Sequence, residues 1–262
     1  MLFNRIKALA AEYNKPVKPI KQYLLPPSAA YVERYREILE NATHLLIGGT
    51  TGSGKSVLLN GLMHTALALY GPGDVSFILI DPKIVELSPY KRLPHVLRYE
   101  TDPKEILALL RQVYSFMMDR YEQMERTGDK KYHGTKIVIV IDELADLLMS
   151  EYGRDIKKEL VKLLQKGRAA SIMVIMATQS PSRKILSAEL VLNIPNRLAL
   201  YCDNAIESKQ ILGVKGAEEL GYRDGSCLYK EPGKPVERLN KIPVFPDSEL
   251  NARIAFWTRQ AA

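Results

Sequence analysis

Apolar residues in this chain fall into two kinds of run. Some are short and nearly unbroken, as in VSFILI, KIVIVI and SIMVIM, which is how strands buried on both faces read. Others recur every three or four residues with polar residues between them, the spacing of a helix that buries one side. The unbroken runs place strands at about residues 43–48, 76–81, 136–142, 171–178 and 197–201. The spaced runs place helices at about 56–69, 103–126, 155–166 and 205–212. The longest helix has legible ends, with Thr101 or Asp102 to cap its start, Pro103 in its first turn and Gly128 just past its last. Alternating strands and helices predict an α/β fold, a mostly parallel sheet flanked by helices. Closer to the C-terminus, residues 221–232 alternate around Asp224-Gly225, which predicts a small β-hairpin with its turn there.

The first forty residues break this pattern. KPVKPIKQYLLPP (15–27) is rich in proline and lysine, and proline resists both helix interiors and central strands, so this stretch reads as an extended arm. A short helix at about 29–40 should follow. The expected organisation is an arm plus helix over 1–41, a main domain over 42–235 and a C-terminal tail over 236–262. With 262 residues, 46% of them hydrophobic, the chain has material for one large core. Its two cysteines, Cys202 and Cys227, are far apart and outside any CxxC pairing, which argues against a disulfide framework or zinc site and fits a reducing, cytoplasmic setting. No apolar run approaches the roughly eighteen residues that a membrane span needs, so no integral membrane segment is expected. The net charge of +7 is a mild excess spread along the chain, compatible with a polyanionic partner without requiring one.

Chemistry enters at GTTGSGKS (49–56), a complete GxxxxGK[ST] loop preceded by the apolar run HLLIG. Glycines at 49, 52 and 54 let the backbone turn its N–H groups inward around phosphate oxygens, and the following helix points its positive end at the same charge. The expected nucleotide-binding set is Gly49, Thr50, Thr51, Gly52, Ser53, Gly54, Lys55, Ser56 and Val57. Lys55 would reach the β and γ phosphates of ATP, and Ser56 would hold Mg2+.

A second signal is IVIVIDE (137–143), an apolar strand ending in two adjacent carboxylates. At the carboxyl end of a buried strand Asp142 can bind magnesium through water, while Glu143 can orient and polarise the attacking water, which favours hydrolysis over simple binding. The strand at 171–178 ends in Thr178-Gln179-Ser180-Pro181. Ligands gather at the carboxyl ends of strands in open parallel sheets, so Gln179 is placed to sense the γ phosphate or the lytic water.

These segments resemble the FtsK/SpoIIIE DNA translocases, in the FtsK and HerA branch of RecA-like motor ATPases. The resemblance runs from about residue 42 to residue 230 and keeps the family's order: GGTTGSGKSVLLN, FILIDPKIVELSPYKRLPHVL, MMDRYEQM, IVIVIDELADLLM, LLQKGRAASIMVIMATQSPS, NIPNRLAL and GAEELGYRDGSCLY. It implies a RecA-like P-loop fold and a homo-oligomeric ring, usually hexameric, that moves along double-stranded DNA using ATP. Each site then lies between subunits and needs an arginine supplied in trans. Arg168, in QKGRAA, matches a basic position of the family and is the first candidate, Arg197 in NIPNRLAL is the second, and Arg183 remains open. Ring motors grip phosphates with loops facing the pore, for which Arg183 and Lys184 are the candidates among loops at 128–134, 149–155 and 182–187.

The chain also departs from the family. Typical members carry membrane-spanning helices, a long linker, a further motor subdomain and a C-terminal winged helix, so the expectation here is a minimal motor of a mobile element, prophage or packaging system, or else a compact core excised from a longer protein. A secretion or conjugation motor with a protein or nucleoprotein cargo is the alternative. A third reading, in which ATP only holds an assembly together, is disfavoured by the Asp142-Glu143 pair.

Overall fold

The computed structural model describes residues 29–240, 242 and 247–260; the expected arm at 15–27 lies outside them. Eight strands form one sheet in the order β3-β2-β4-β5-β1-β6-β7-β8. They are β1 (Leu45–Gly48), β2 (Val75–Ile80), β3 (Val96–Glu100), β4 (Lys136–Ile141), β5 (Ile172–Thr178), β6 (Asn196–Ala199), β7 (Cys227–Lys230) and β8 (Glu237–Leu239). The first six in spatial order are mutually parallel, and β7 and β8 add antiparallel partners beside β6.

Both faces are covered, as the apolar runs require. Along β4, Ile137, Ile139 and Ile141 face one core and Val138 and Val140 face the other. The first core is closed by α3 (Pro103–Thr127), α4 (Leu144–Met149), α5 (Gly153–Lys166), α6 (Ala188–Leu192) and α7 (Ala205–Leu212). The second is closed by α1 (Ala29–Asn41), α2 (Lys55–Leu69) and α8 (Asp247–Gln260). Helix α3 ends where its sequence says: Asp102 accepts from the N–H groups of Lys104 (3.0 Å) and Glu105 (3.1 Å), and Gly128 takes φ 75° beyond the last turn. Arg120 of α3 is buried between the rings of Phe116 and Tyr132 and donates to the carbonyls of Ala170 (2.6 Å) and Thr135 (2.8 Å). It thereby ties the helix to the entries of β4 and β5.

The five expected strands are present, and the sequence reading missed β3, an edge strand. The C-terminal hairpin exists, but its turn is not at Asp224-Gly225. That pair precedes β7, and the chain reverses between β7 and β8 around Gly233 at φ 73°. In the segment after β8, Trp257 of α8 is 1% exposed and donates to the carbonyl of Leu67 at 3.0 Å, fastening α8 to the end of α2.

Strand register decides where the chemistry falls. Ile80 pairs with Ile141, Ile141 with Met176, and Gly48 with both Thr178 and Ala199. The residues next along the chain are Asp81, Asp142, Gln179 and Gly49, so all four emerge at one carboxyl edge of the sheet.

Candidate active site

Between β1 and α2 the loop turns through positive φ at Gly52 (74°) and Gly54 (106°), conformations open to glycine without strain. Lys55 opens α2 and is 7% exposed; its Nζ donates to the carbonyls of Gly49 (2.7 Å) and Thr50 (3.0 Å), so the ammonium lies across the concave side of the loop. Burial pulls its pKa down to about 8, opposed by the nearby carboxylates of Glu143 and Asp142. A lysine whose charge is that poorly solvated gains strongly from a polyphosphate.

The carboxylate pair divides its work by geometry. Glu143 is 2% exposed and firmly held: one carboxylate oxygen accepts from Thr178 Oγ1 (2.9 Å) and from the N–H of Ala145 (3.2 Å), the other from the N–H of Gln179 (3.0 Å). It caps α4 and joins the ends of β4 and β5. Asp142 is half-buried, and burial, then the charges of Asp81, Glu86 and Glu143, push its pKa up to about 7, with Lys83 pulling the other way. A carboxylate that ionises so reluctantly marks a place where a cation is wanted. Together with the hydroxyl of Ser56 it supplies the hard oxygen donors Mg2+ takes. Among the described residues no cluster of three or more His, Cys, Asp or Glu side chains could hold a metal alone.

Gln179 reaches back to the loop: its Oε1 accepts from Thr51 Oγ1 at 2.8 Å. One hydrogen bond thus bridges the phosphate loop and the end of β5. Asp81, part of the family-like segment FILIDPKIVELSPYKRLPHVL, is fully buried and accepts from the N–H groups of Val85 (3.3 Å) and Leu87 (3.1 Å) and from Tyr99 Oη (3.2 Å). It shapes the loop carrying Lys83, which pairs with Asp146 at 3.1 Å.

The arginines separate. Arg168 is exposed and lines a cleft of about 1450 Å³ at the opposite end of the sheet, among Asp74, Arg126, Lys131 and Lys136. It stands away from its own phosphate loop. Arg197 has another job: its guanidinium donates to the carbonyls of Val191 (2.8 Å), Ile194 (2.9 Å) and Ile211 (3.3 Å), clamping α6 and α7 to β6. Arg183 and Lys184 are exposed on the loop that follows Gln179, at the catalytic edge. The sequence reading missed Tyr222 and Arg223, whose side chains touch the phosphate loop; no motif spacing announces such a contact.

A strand, a glycine-bent loop, a lysine laid across it and a carboxylate pair at the end of a buried strand one place removed in the sheet define a P-loop ATPase. The FtsK/SpoIIIE family model matches residues 12–135. The DNA translocase FtsK of Lactococcus lactis subsp. cremoris is 37% identical over 242 residues, 83% of this chain. The chain carries a motor domain of the FtsK/SpoIIIE family. It spans 31% of the length of that relative. Among solved structures, the pCW3 conjugation coupling protein TcpA, in monomer form with ATPγS, superposes with a TM-score of 0.71 at 23% identity, covering 83% of this chain and 66% of its own. The cytoplasmic domain of the Type VII secretion ATPase EccC of Thermomonospora curvata gives 0.68 at 27% identity, covering 84% and 28%. No described helix is long and apolar enough to cross a membrane.

Proposed function

We propose that the chain hydrolyses ATP and couples this to movement along double-stranded DNA, as one subunit of a homo-oligomeric, hexameric ring. The observation that carries the reading is the convergence of Lys55, Asp142, Glu143 and the Thr51–Gln179 bridge at one sheet edge, in a chain 37% identical to a DNA translocase. Residues 49–57 hold the phosphates, with Lys55 on the β and γ groups. Mg2+, when bound through Ser56 and, by way of water, Asp142, neutralises phosphate charge. Glu143 orients the attacking water and takes its proton. Gln179 reports the γ phosphate to the loop at 179–187, whose Arg183 and Lys184 touch backbone phosphates without reading sequence. Arg168 serves a neighbouring subunit's site as the trans-acting finger.

A motor for conjugation or secretion is the second reading, favoured by the likeness to TcpA and EccC. ATPase assays with linear duplex, single strand and no nucleic acid separate the two. Duplex should stimulate turnover severalfold, with longer duplex doing better; turnover indifferent to nucleic acid would sink the translocase reading.

A further inference from the structure

The turn that leads into β7 rests on the phosphate loop. Tyr222 Oη donates to the carbonyl of Thr51 and Arg223 Nε to the carbonyl of Gly52, both at 3.3 Å. The approach is close: a Cβ on Gly52 would stand 2.8 Å from Tyr222 Oη and 2.9 Å from Arg223 Nη2. Gly52 is therefore required for room as well as for its dihedral. Arg223 itself sits at φ 60°, a conformation costing a residue with a side chain on the order of 1 kcal/mol. The turn is braced from within, since Asp224 accepts from the N–H groups of Gly221 (3.1 Å) and Ser226 (2.8 Å) and pairs with Arg238 at 3.5 Å. The Arg223 guanidinium lies 5.0 Å from the Tyr222 ring, which meets Tyr201 edge-on at 5.5 Å. The carbonyl of Tyr201 accepts from Thr50 N at 2.9 Å, closing the circle back to the loop. Among the described residues no carboxylate lies within ion-pair distance of Arg223. A cation is thus held by a strained turn, without a counterion, against a loop built to wrap phosphate.

We infer that Arg223 is a catalytic arginine acting in cis: its Nη groups take a γ-phosphate oxygen of ATP bound by the same subunit. In the reaction a water oxygen bonds to the γ phosphorus, and the bridging oxygen leaves on ADP with the bonding pair. The water proton passes to Glu143. Arg223 neither gains nor loses a proton; it stabilises the charge that gathers on the phosphate oxygens as the bond breaks. Tyr222 and Asp224 are positioning residues that aim it. The inference rests on ATP hydrolysis but not on the cargo, and it is separate from the role of Arg168, which belongs to a neighbour's site.

The test compares the unmodified protein with Arg223→Ala, Arg223→Gln and Arg223→Lys in kcat, KM, ADP affinity and affinity for ADP with aluminium fluoride. Alanine and glutamine should lower kcat by about tenfold to hundredfold and abolish the extra affinity for ADP–aluminium fluoride over ADP, with ADP affinity itself little changed; lysine should be intermediate. Arg223 is exposed, so the thermal melting curves should stay put. Mixing Arg223→Ala subunits with Lys55→Ala subunits should restore nothing, because each arginine serves its own site. An unchanged kcat, an equal loss of ADP and ADP–aluminium fluoride affinity, or recovered turnover in the mixture would overturn the assignment. If these effects appear while duplex fails to stimulate turnover, the cargo reading falls and Arg223 stands.

Discussion

Glu143 does two things with one carboxylate. It holds Thr178, Gln179 and Ala145 in place, and in the function proposed above it is also the base for the attacking water. A Glu143→Gln variant keeps an oxygen for Thr178 but loses the charge. It should bind ATP about as well as the unmodified protein, while turnover falls by roughly hundredfold or more; equilibrium binding and single-turnover kinetics check the two halves separately. Lys55, Asp142 and Glu143 were legible in the sequence because their chemistry is fixed by spacing along one strand or loop. Arg197 was not, since its three carbonyl partners belong to α6, α7 and the link between α6 and β6. Tyr222 and Arg223 were hidden for a related reason: each meets its loop partner across 171 positions of sequence, a contact set by where a turn lands.

At the scale of elements, β2, β4 and β5 announce themselves because strands buried on both faces are apolar at nearly every position. The edge strand β3 does not, since VLRYE is buried only over its first two residues and then turns polar. The C-terminal hairpin was misplaced because Asp224-Gly225 and Pro232-Gly233 are both good turn signals, and only pairing with β6 decides which one joins two strands. Helix α8 has two buried anchors, Arg253, which is 1% exposed and donates to the carbonyl of His64 at 3.4 Å, and Trp257. Trp257 packs edge-on against His95 with centroids 4.5 Å apart and bonds to Leu67. Trp257→Ala should cost about 3–5 kcal/mol by the usual scale of large-to-small core changes, measured by urea unfolding; a loss within the noise would mean that α8 does not support the second core.

For the molecule as a whole, acidity has a calculable effect. Burial holds His44, His64 and His95 neutral, with pKa values near 4 against 6.5 for a free histidine. Their stabilising contribution is complete above pH 6.5, where folded and unfolded chains are both neutral there. It is lost as pH falls toward 4, because the unfolded chain takes up protons first. The loss is on the order of 3 kcal/mol per histidine. Melting temperature should therefore drop steadily between pH 6.5 and pH 4, and His95→Gln should flatten part of that slope. A melting temperature flat across this range would show that the histidines titrate normally.

The two rims of the sheet are charged. On one, β3 carries Arg98 paired with Glu100 at 2.8 Å; on the other, β8 is only three residues long and its Glu237 is paired with Arg34. Short or charged rims refuse a foreign strand. The sheet is thus a closed plate: its edges do not invite a second copy to extend it by a continuous ladder of backbone hydrogen bonds, which leaves faces and loop ends as the surfaces open to a partner.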